Sequence, residues 1–149
     1  MKKNKKETKY QITCTEDQLK TMSHALDWYS RMFHGQLDLV IRDLYQYHTL
    51  VSDKKNSKNR NFPQEYKEID EHIAGLKRVI FGLDMHTSHG IGANGIINSS
   101  KSAYEMHKKL DNCRVWYNHP EGGNTVDFHI PLKVSKDKEM IKVEVIDKK

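Results

Sequence analysis

Two imidazoles three residues apart, His86 and His89, stand beside Asp84, with His72 further upstream. These are the residue types that hold zinc. A zinc site needs three or four converging ligands. No third ligand follows at a regular spacing and no Cys pair assists, so the group reads as polar loop histidines and no metal is expected. In the same segment Gly90-Ile-Gly92-Ala-Asn-Gly95 has the glycine spacing of a dinucleotide fingerprint. That fingerprint follows a strand inside a βαβ unit, and here the preceding periodicity is helical. Two readings stay open: a glycine-rich loop ahead of a helix that offers backbone N–H groups to an anion, or a plain flexible loop. Cys14 and Cys113 are of a type that packs more often than it reacts. Neither a nucleophile elbow, a Walker loop, a kinase motif nor a Ser-His-Asp arrangement is legible. The expectation is a protein without catalytic residues or cofactor.

The elements around these residues follow from periodicity. Tyr10-Gln-Ile12-Thr-Cys14 alternates apolar and polar residues, as a short strand does. Thr15-Glu-Asp-Gln18 is a capping box, and Leu19, Met22, Leu26, Tyr29, Phe33, Leu37, Val40, Leu44 and Tyr47 then form an almost unbroken helical stripe. Run from Glu16 to Val51, that helix would be about 54 Å long, against a radius of gyration of about 15 Å for a compact chain of this size. It must break, with Gly35 the expected kink, or overhang the domain and find a partner. Homo-oligomerisation follows as an expectation. Ser52 to Asn61 reads as a basic loop. Tyr66, Ile69, Ile73, Leu76, Ile80 and Leu83 mark a second helix over 64–84, and 85–98 reads as a loop. Ser99 or Ser100 is the expected cap of a third helix with Ala103, Met106 and Leu110 inward. Beyond Trp116, Val126, Phe128, Ile130 and Leu132 alternate, as do Ile141, Val143 and Val145, with a turn at Ser135–Lys138. The expected fold class is therefore α+β: two or three long packed helices with a small antiparallel sheet from the N-terminal strand and a C-terminal hairpin. Residues 1–9 form a basic arm and 10–149 a single domain.

Composition bounds the function. The chain has 149 residues, 25 Lys and Arg against 20 Asp and Glu, a net charge of +5, and two cysteines. A multidomain enzyme, a disulfide scaffold and a fibrous repeat are excluded. No apolar run has the length of a membrane span, and the basic start lacks the apolar stretch of an export signal, so a reduced cytoplasmic location is expected. The cations are spread through the arm, the 54–60 loop and the face Lys101, Lys108, Lys109 and Arg114, interleaved with Glu65, Glu68, Asp70 and Glu71. A binder of long nucleic acid concentrates its charge more. Cations near a glycine loop and the aromatics Phe81, Tyr104 and Trp116 suit a small phosphorylated nucleotide equally well. Asn94, Lys108 and Arg114 are the candidate polar contacts, Tyr104 or Phe81 the candidate base platform, and His89 shares the loop.

Several short segments together resemble a family of small phage and prophage proteins. They are Tyr10-Gln-Ile-Thr-Cys-Thr-Glu-Asp-Gln-Leu19, Ala25-Leu-Asp-Trp-Tyr-Ser-Arg31, Gly35-Gln36, Gly90-Ile91 with Asn94, Ala103-Tyr-Glu105, Trp116, Pro120-Glu-Gly-Gly123 and Thr125-Val-Asp127. The family is the first type of anti-Thoeris proteins. The chain departs from its pattern near the end of the third helix, where an Arg is usual and Lys108-Lys-Leu-Asp-Asn112 stands here, with Arg114 beyond. The resemblance implies a phage immune-evasion sponge in the cytoplasm of the infected bacterium. Such a sponge binds a cyclic ADP-ribose isomer made by TIR-domain defence enzymes, with cyclic oligonucleotides (di- or trinucleotides) as further ligands, and holds the signal without cleaving it. The other class of function is a regulator that binds a host protein or nucleic acid through its basic surface; steep salt dependence would mark the latter.

Overall fold

A computed structural model describes residues 9–52 and 62–146. Four α-helices carry it: α1 (Glu16–Phe33), α2 (Leu37–Ser52), α3 (Phe62–Phe81) and α4 (Asn98–Asn118), with a single 3-10 turn at Val126–Phe128. All of the basic arm but Lys9, and all of the basic loop but Ser52, lie outside the described residues.

The capping box opens α1 as its spacing requires. The Gln18 amide donates to Thr15 Oγ1 at 3.3 Å and the Thr15 amide to Gln18 Oε1 at 2.9 Å. The stripe that would run on to Val51 is cut at His34-Gly35-Gln36, where Gly35 takes φ +74° and its amide bonds back to Met32 O. That left-handed step is cheap only for glycine. The chain reverses into α2, and Asp43 then ties α2 back to α1 by accepting from Trp28 Nε1 at 2.8 Å and lying 3.0 Å from His24 Nε2. α3 returns along α2 through three successive contacts: Lys77 Nζ to Asp38 Oδ1 at 3.1 Å, Arg42 Nη2 to both Asp70 oxygens at 2.8 and 2.9 Å, and the Tyr45 and Tyr66 rings at 4.9 Å.

The main packing is α1 against α4. The pair is antiparallel: Asn118 reaches Glu16 at one end and Ser100 reaches Ser30 at the other. Their seam is polar. Among the described residues only Val40, Ile73, Ala103 and Leu110 are buried apolar side chains, against eight buried polar or charged ones. α4 begins after Ile97, which supplies no side-chain cap, so neither Ser99 nor Ser100 is the cap that the sequence suggests.

The expected α+β class is not what forms. The structure is all-helical, with no strand and no sheet among the described residues. Tyr10 and Ile12 are exposed at 87% and 76% and pair with nothing in a ladder. The C-terminal segment does follow a hairpin-like path along α4, but side chains of α4 take the polar groups a ladder would use. Asn112 Nδ2 donates to Asp127 O at 2.7 Å and to His129 O at 3.1 Å, and Trp116 Nε1 donates to Phe128 O at 3.1 Å. Glu105 Oε1 accepts from the amides of Val134 and Ser135, each at 2.5 Å. Alternation predicts one buried and one open face for an extended segment, and over 126–132 that fails as well: Val126, Ile130 and Leu132 are exposed, with Phe128 half-buried against Trp116. Nor does alternation say whether the backbone bonds go to a second strand or to a helix.

Candidate functional site

Four segments converge where α1 ends. The His34 ring is 3% exposed, and its Nδ1 donates to Ser30 O at 2.6 Å; Ser100 Oγ donates to the same carbonyl at 3.3 Å. His34 O accepts from the His89 amide at 2.9 Å, which pins the 85–97 loop to the corner. The Phe81 and His89 rings meet edge to face at 6.3 Å, and Phe81 and Leu83 close over Gly35. His34 Nε2 is buried and has no hydrogen-bond partner. With the hydrogen on Nδ1, Nε2 of a neutral ring is an acceptor. Buried polar atoms are nearly always satisfied, so this corner holds an acceptor, an aromatic pair and a glycine-rich loop side by side.

The α1–α4 seam brings together residue types that the sequence keeps far apart. Ser23 Oγ lies 2.9 Å from His107 Nδ1, and His107 Nε2 lies 3.5 Å from Asp27 Oδ1. Ser, His and Asp side by side are the parts of a nucleophilic triad. Access is missing. Ser23 is 2% exposed in the middle of a helix, and its hydroxyl donates a hydrogen bond to Asp111 Oδ1 at 2.8 Å. Burial holds the His107 ring below its ordinary pKa, opposed by the negative charges of Asp27 and Asp111. The group acts as a polar cross-link between two helices. Cys113 is likewise no nucleophile in waiting, since burial pushes its thiol up and so disfavours the thiolate.

The six residues expected to meet a ligand fall into two places. Phe81 and His89 are together at the corner, and Asn94 is exposed on the same loop. Tyr104, Lys108 and Arg114 lie along α4. Lys108 is held by Asp127 Oδ1 at 3.2 Å, and Arg114 Nη2 is 3.9 Å from Asp111, its Nε buried without a partner. Fourteen residues separate Ser100 from Arg114, about 21 Å of helix, so one chain does not bring Arg114 to Phe81. Two of the glycine-loop amides are used locally, Ala93 to Gly90 O and Ile96 to Ala93 O. His86 is exposed, and no group of three or more His, Cys, Asp or Glu that could hold a metal is present among the described residues.

Two open grooves flank α4. One, of about 500 Å³, has Leu26, Tyr29, Ala103 and Met106 as its floor and Ser99 and Asp137 at its edge. The other, of about 370 Å³, places Lys109, Trp116 and Lys142 around Cys113 and Ile141. Sequence reasoning missed His34, Ser23 and Glu105. The first carries a signal in hindsight, a polar residue just before the Gly35 break, and the other two carry none. Fold and site together define an all-helical protein built on a polar-seamed antiparallel helix pair. Among the described residues no helix is long and apolar enough to cross a membrane. Comparison with protein families, with characterised proteins and with solved structures finds no match.

Proposed function

We propose that this protein is a sponge of the anti-Thoeris kind. It binds a cyclic nucleotide signal, a cyclic ADP-ribose isomer with cyclic di- or trinucleotides as further ligands, in the cytoplasm of an infected bacterium, and withholds it without cleaving it. One observation carries the reading: the corner at the end of α1, where the Phe81–His89 ring pair stands next to the buried, unpartnered His34 Nε2. A purine offers a flat face to stack on aromatic rings and an exocyclic amine to donate to an acceptor. The glycine loop with Asn94 supplies donors for phosphate oxygens. Nanomolar capture amounts to about 12 kcal/mol, more than this open corner offers alone. A second copy is the source of the missing wall, and Arg114, about 21 Å along α4 from Ser100, reaches the ligand from that copy.

The test is uptake and return. Protein is mixed with a cyclic ADP-ribose isomer, free ligand is measured, and the protein is then heat-denatured. Depletion in proportion to protein that then stops, followed by release of the same molecule by mass and retention time, supports the sponge. Phe81→Ala should weaken uptake at least tenfold. Continued loss of ligand, or a linear product, makes the protein an enzyme. No uptake moves the reading to a regulator acting through the basic arm and the 54–60 loop.

A further inference from the structure

In the 85–97 loop stands the one asparagine of the chain that precedes a glycine, Asn94-Gly95. The Ile96 amide donates to Ala93 O at 3.3 Å, so these two residues form the centre of a β-turn. Both are exposed. Among the described residues the Asn94 side chain has no hydrogen-bond partner, and the Gly95 amide donates to no main-chain carbonyl. A Cβ built on Gly95 would meet nothing within 4 Å. Other asparagines are held in place or followed by a side chain. Asn98 donates to Asp137 Oδ1 at 2.9 Å and accepts from the Lys136 amide at 2.6 Å, and Asn112 donates to two main-chain carbonyls. Asn124 is exposed, but Thr125, branched at Cβ, follows it. We infer that Asn94-Gly95 is a self-modifying site: the loop deamidates there without an enzyme, and the carboxylate it gains weakens capture at the corner where α1 ends. The second half of this inference rests on the sponge reading.

The chemistry needs only water. Hydroxide removes the proton of the Gly95 amide, and the nitrogen attacks Asn94 Cγ. The new N–Cγ bond closes a five-membered imide. The Cγ–Nδ2 bond breaks, and Nδ2 leaves as ammonia with a proton from water. One water then opens the imide. Opening at Cγ leaves aspartate; opening at the main-chain carbonyl leaves isoaspartate, whose backbone runs through the former side chain and is longer by a carbon. In sum, one water is consumed and one ammonia released, with nothing oxidised or reduced. A side chain on the following residue crowds the attacking nitrogen, and glycine has none. The product is a covalent change of charge on the protein. It sets a negative group where phosphate oxygens require donors. The longer backbone also falls inside the turn that the Ala93–Ile96 bond closes, one residue before Ile97, from which α4 starts.

The test ages the full chain in mildly alkaline buffer and follows its tryptic peptide 79–101 by mass and retention time. The amide-to-acid mass gain should map to Asn94, in two peaks of equal mass with isoaspartate the larger. Its rate should rise with hydroxide and stay within about tenfold of that in the urea-unfolded chain, because an open loop needs no unfolding to react. Gly95→Ala should melt like wild type, since its Cβ meets nothing within 4 Å, and should slow the step at least tenfold. A folded chain that reacts more than tenfold slower than the unfolded one overturns the inference, as does an unchanged rate in Gly95→Ala or an earlier gain at Asn98 or Asn124. Uptake is read separately. The aged form, which loses one unit from the net charge of +5, is parted from fresh protein by cation exchange. It and Asn94→Asp should take up a cyclic ADP-ribose isomer at least fivefold more weakly than fresh protein. Equal uptake overturns the link to capture. Fresh protein that takes up none fails the sponge reading, while the mass of peptide 79–101 still decides the modification.

Discussion

Glu105 is the residue whose replacement tests the C-terminal half of the fold most directly. Its carboxylate is 3% exposed and accepts the Val134 and Ser135 amides at 2.5 Å, the Ser135 hydroxyl at 2.9 Å and Lys133 Nζ at 3.3 Å. Burial alone would raise its pKa; the amides of Ser135 and Val134, with the Ser135 hydroxyl and Lys133, outweigh that and hold it below the ordinary glutamate value of 4.5. Glu105→Gln keeps an acceptor for the two amides but removes the charge. A charge-assisted bond is worth about 1 kcal/mol more than a neutral one, so two of them give a loss of about 2 kcal/mol. Glu105→Ala leaves both amides without a partner and should cost about 3 kcal/mol, water at the half-exposed edge limiting the penalty. By thermal melting the Gln variant should fall by roughly 6–8 °C. Amide exchange at Val134 and Ser135, and protease cutting within 136–146, should rise with α1–α4 still folded. The pH sign follows from the lowered pKa. The contribution is complete above about 4.5 and is lost as pH falls through the folded-state value. A Gln variant that melts, exchanges and resists protease like wild type would refute the claim that this carboxylate holds the segment on α4.

Three further outcomes are expected. Lys77 is 1% exposed, with its ammonium on Asp38 at 3.1 Å and Met85 O at 2.5 Å; Lys77→Ala should cost about 3–5 kcal/mol in urea unfolding, and Lys77→Met with Asp38→Leu should recover much of it, because a buried pair hurts most when half of it is removed. His107 titrates below its ordinary 6.5 through burial, against the pull of Asp27 and Asp111. The unfolded chain therefore binds that proton first, and stability should decline as pH drops below about 6.5 towards the folded-state value, a slope that His107→Gln should reduce. Gly35→Ala sets a side chain at φ +74° with its Cβ 2.7 Å from Leu83 Cδ1; a loss of about 1–2 kcal/mol is expected in the same unfolding assay, and a neutral result would mean that the α1–α2 break does not depend on this glycine.

The helices were legible because their signals are local. Thr15 and Gln18 announce the start of α1 within four residues, and Gly35 sits between helical registers on either side. The stripe that passes through Gly35 was equally clear, and it misleads about length: the same apolar spacing fits one long helix or two shorter ones, and only the positive φ at Gly35 separates them. The C-terminal strands were misread for a different reason. Val126, Phe128, Ile130 and Leu132 do alternate, but the backbone partners are Asn112, Trp116 and Glu105, from 12 to 30 positions away and polar on a helix whose apolar signal is weak. A pattern of side chains says which positions share a face, and here Val126, Ile130 and Leu132 share one that stays exposed. It carries nothing about which atoms satisfy the amides.

The same distinction explains what could be read of the site. Phe81 and His89 were named from residue type and neighbourhood, and they do meet, since the loop between them is short and the His89 amide is anchored on His34 O. Lys108 and Arg114 were named by the same logic and lie along α4, 3.2 Å from Asp127 and 3.9 Å from Asp111. Charge on a helix shows that a counter-ion will be found, not whether it is a ligand or a neighbouring carboxylate. His34 stands at the opposite extreme. Alone in the sequence it is a polar residue before a glycine, and its interest arises only after Ser30 and Ser100 satisfy one side of its ring and leave Nε2 buried and empty-handed. Unmet hydrogen-bonding capacity is a property of the assembled fold, which is why the corner that best supports ligand recognition here was half visible in the sequence, through its aromatics, and half hidden, through its acceptor.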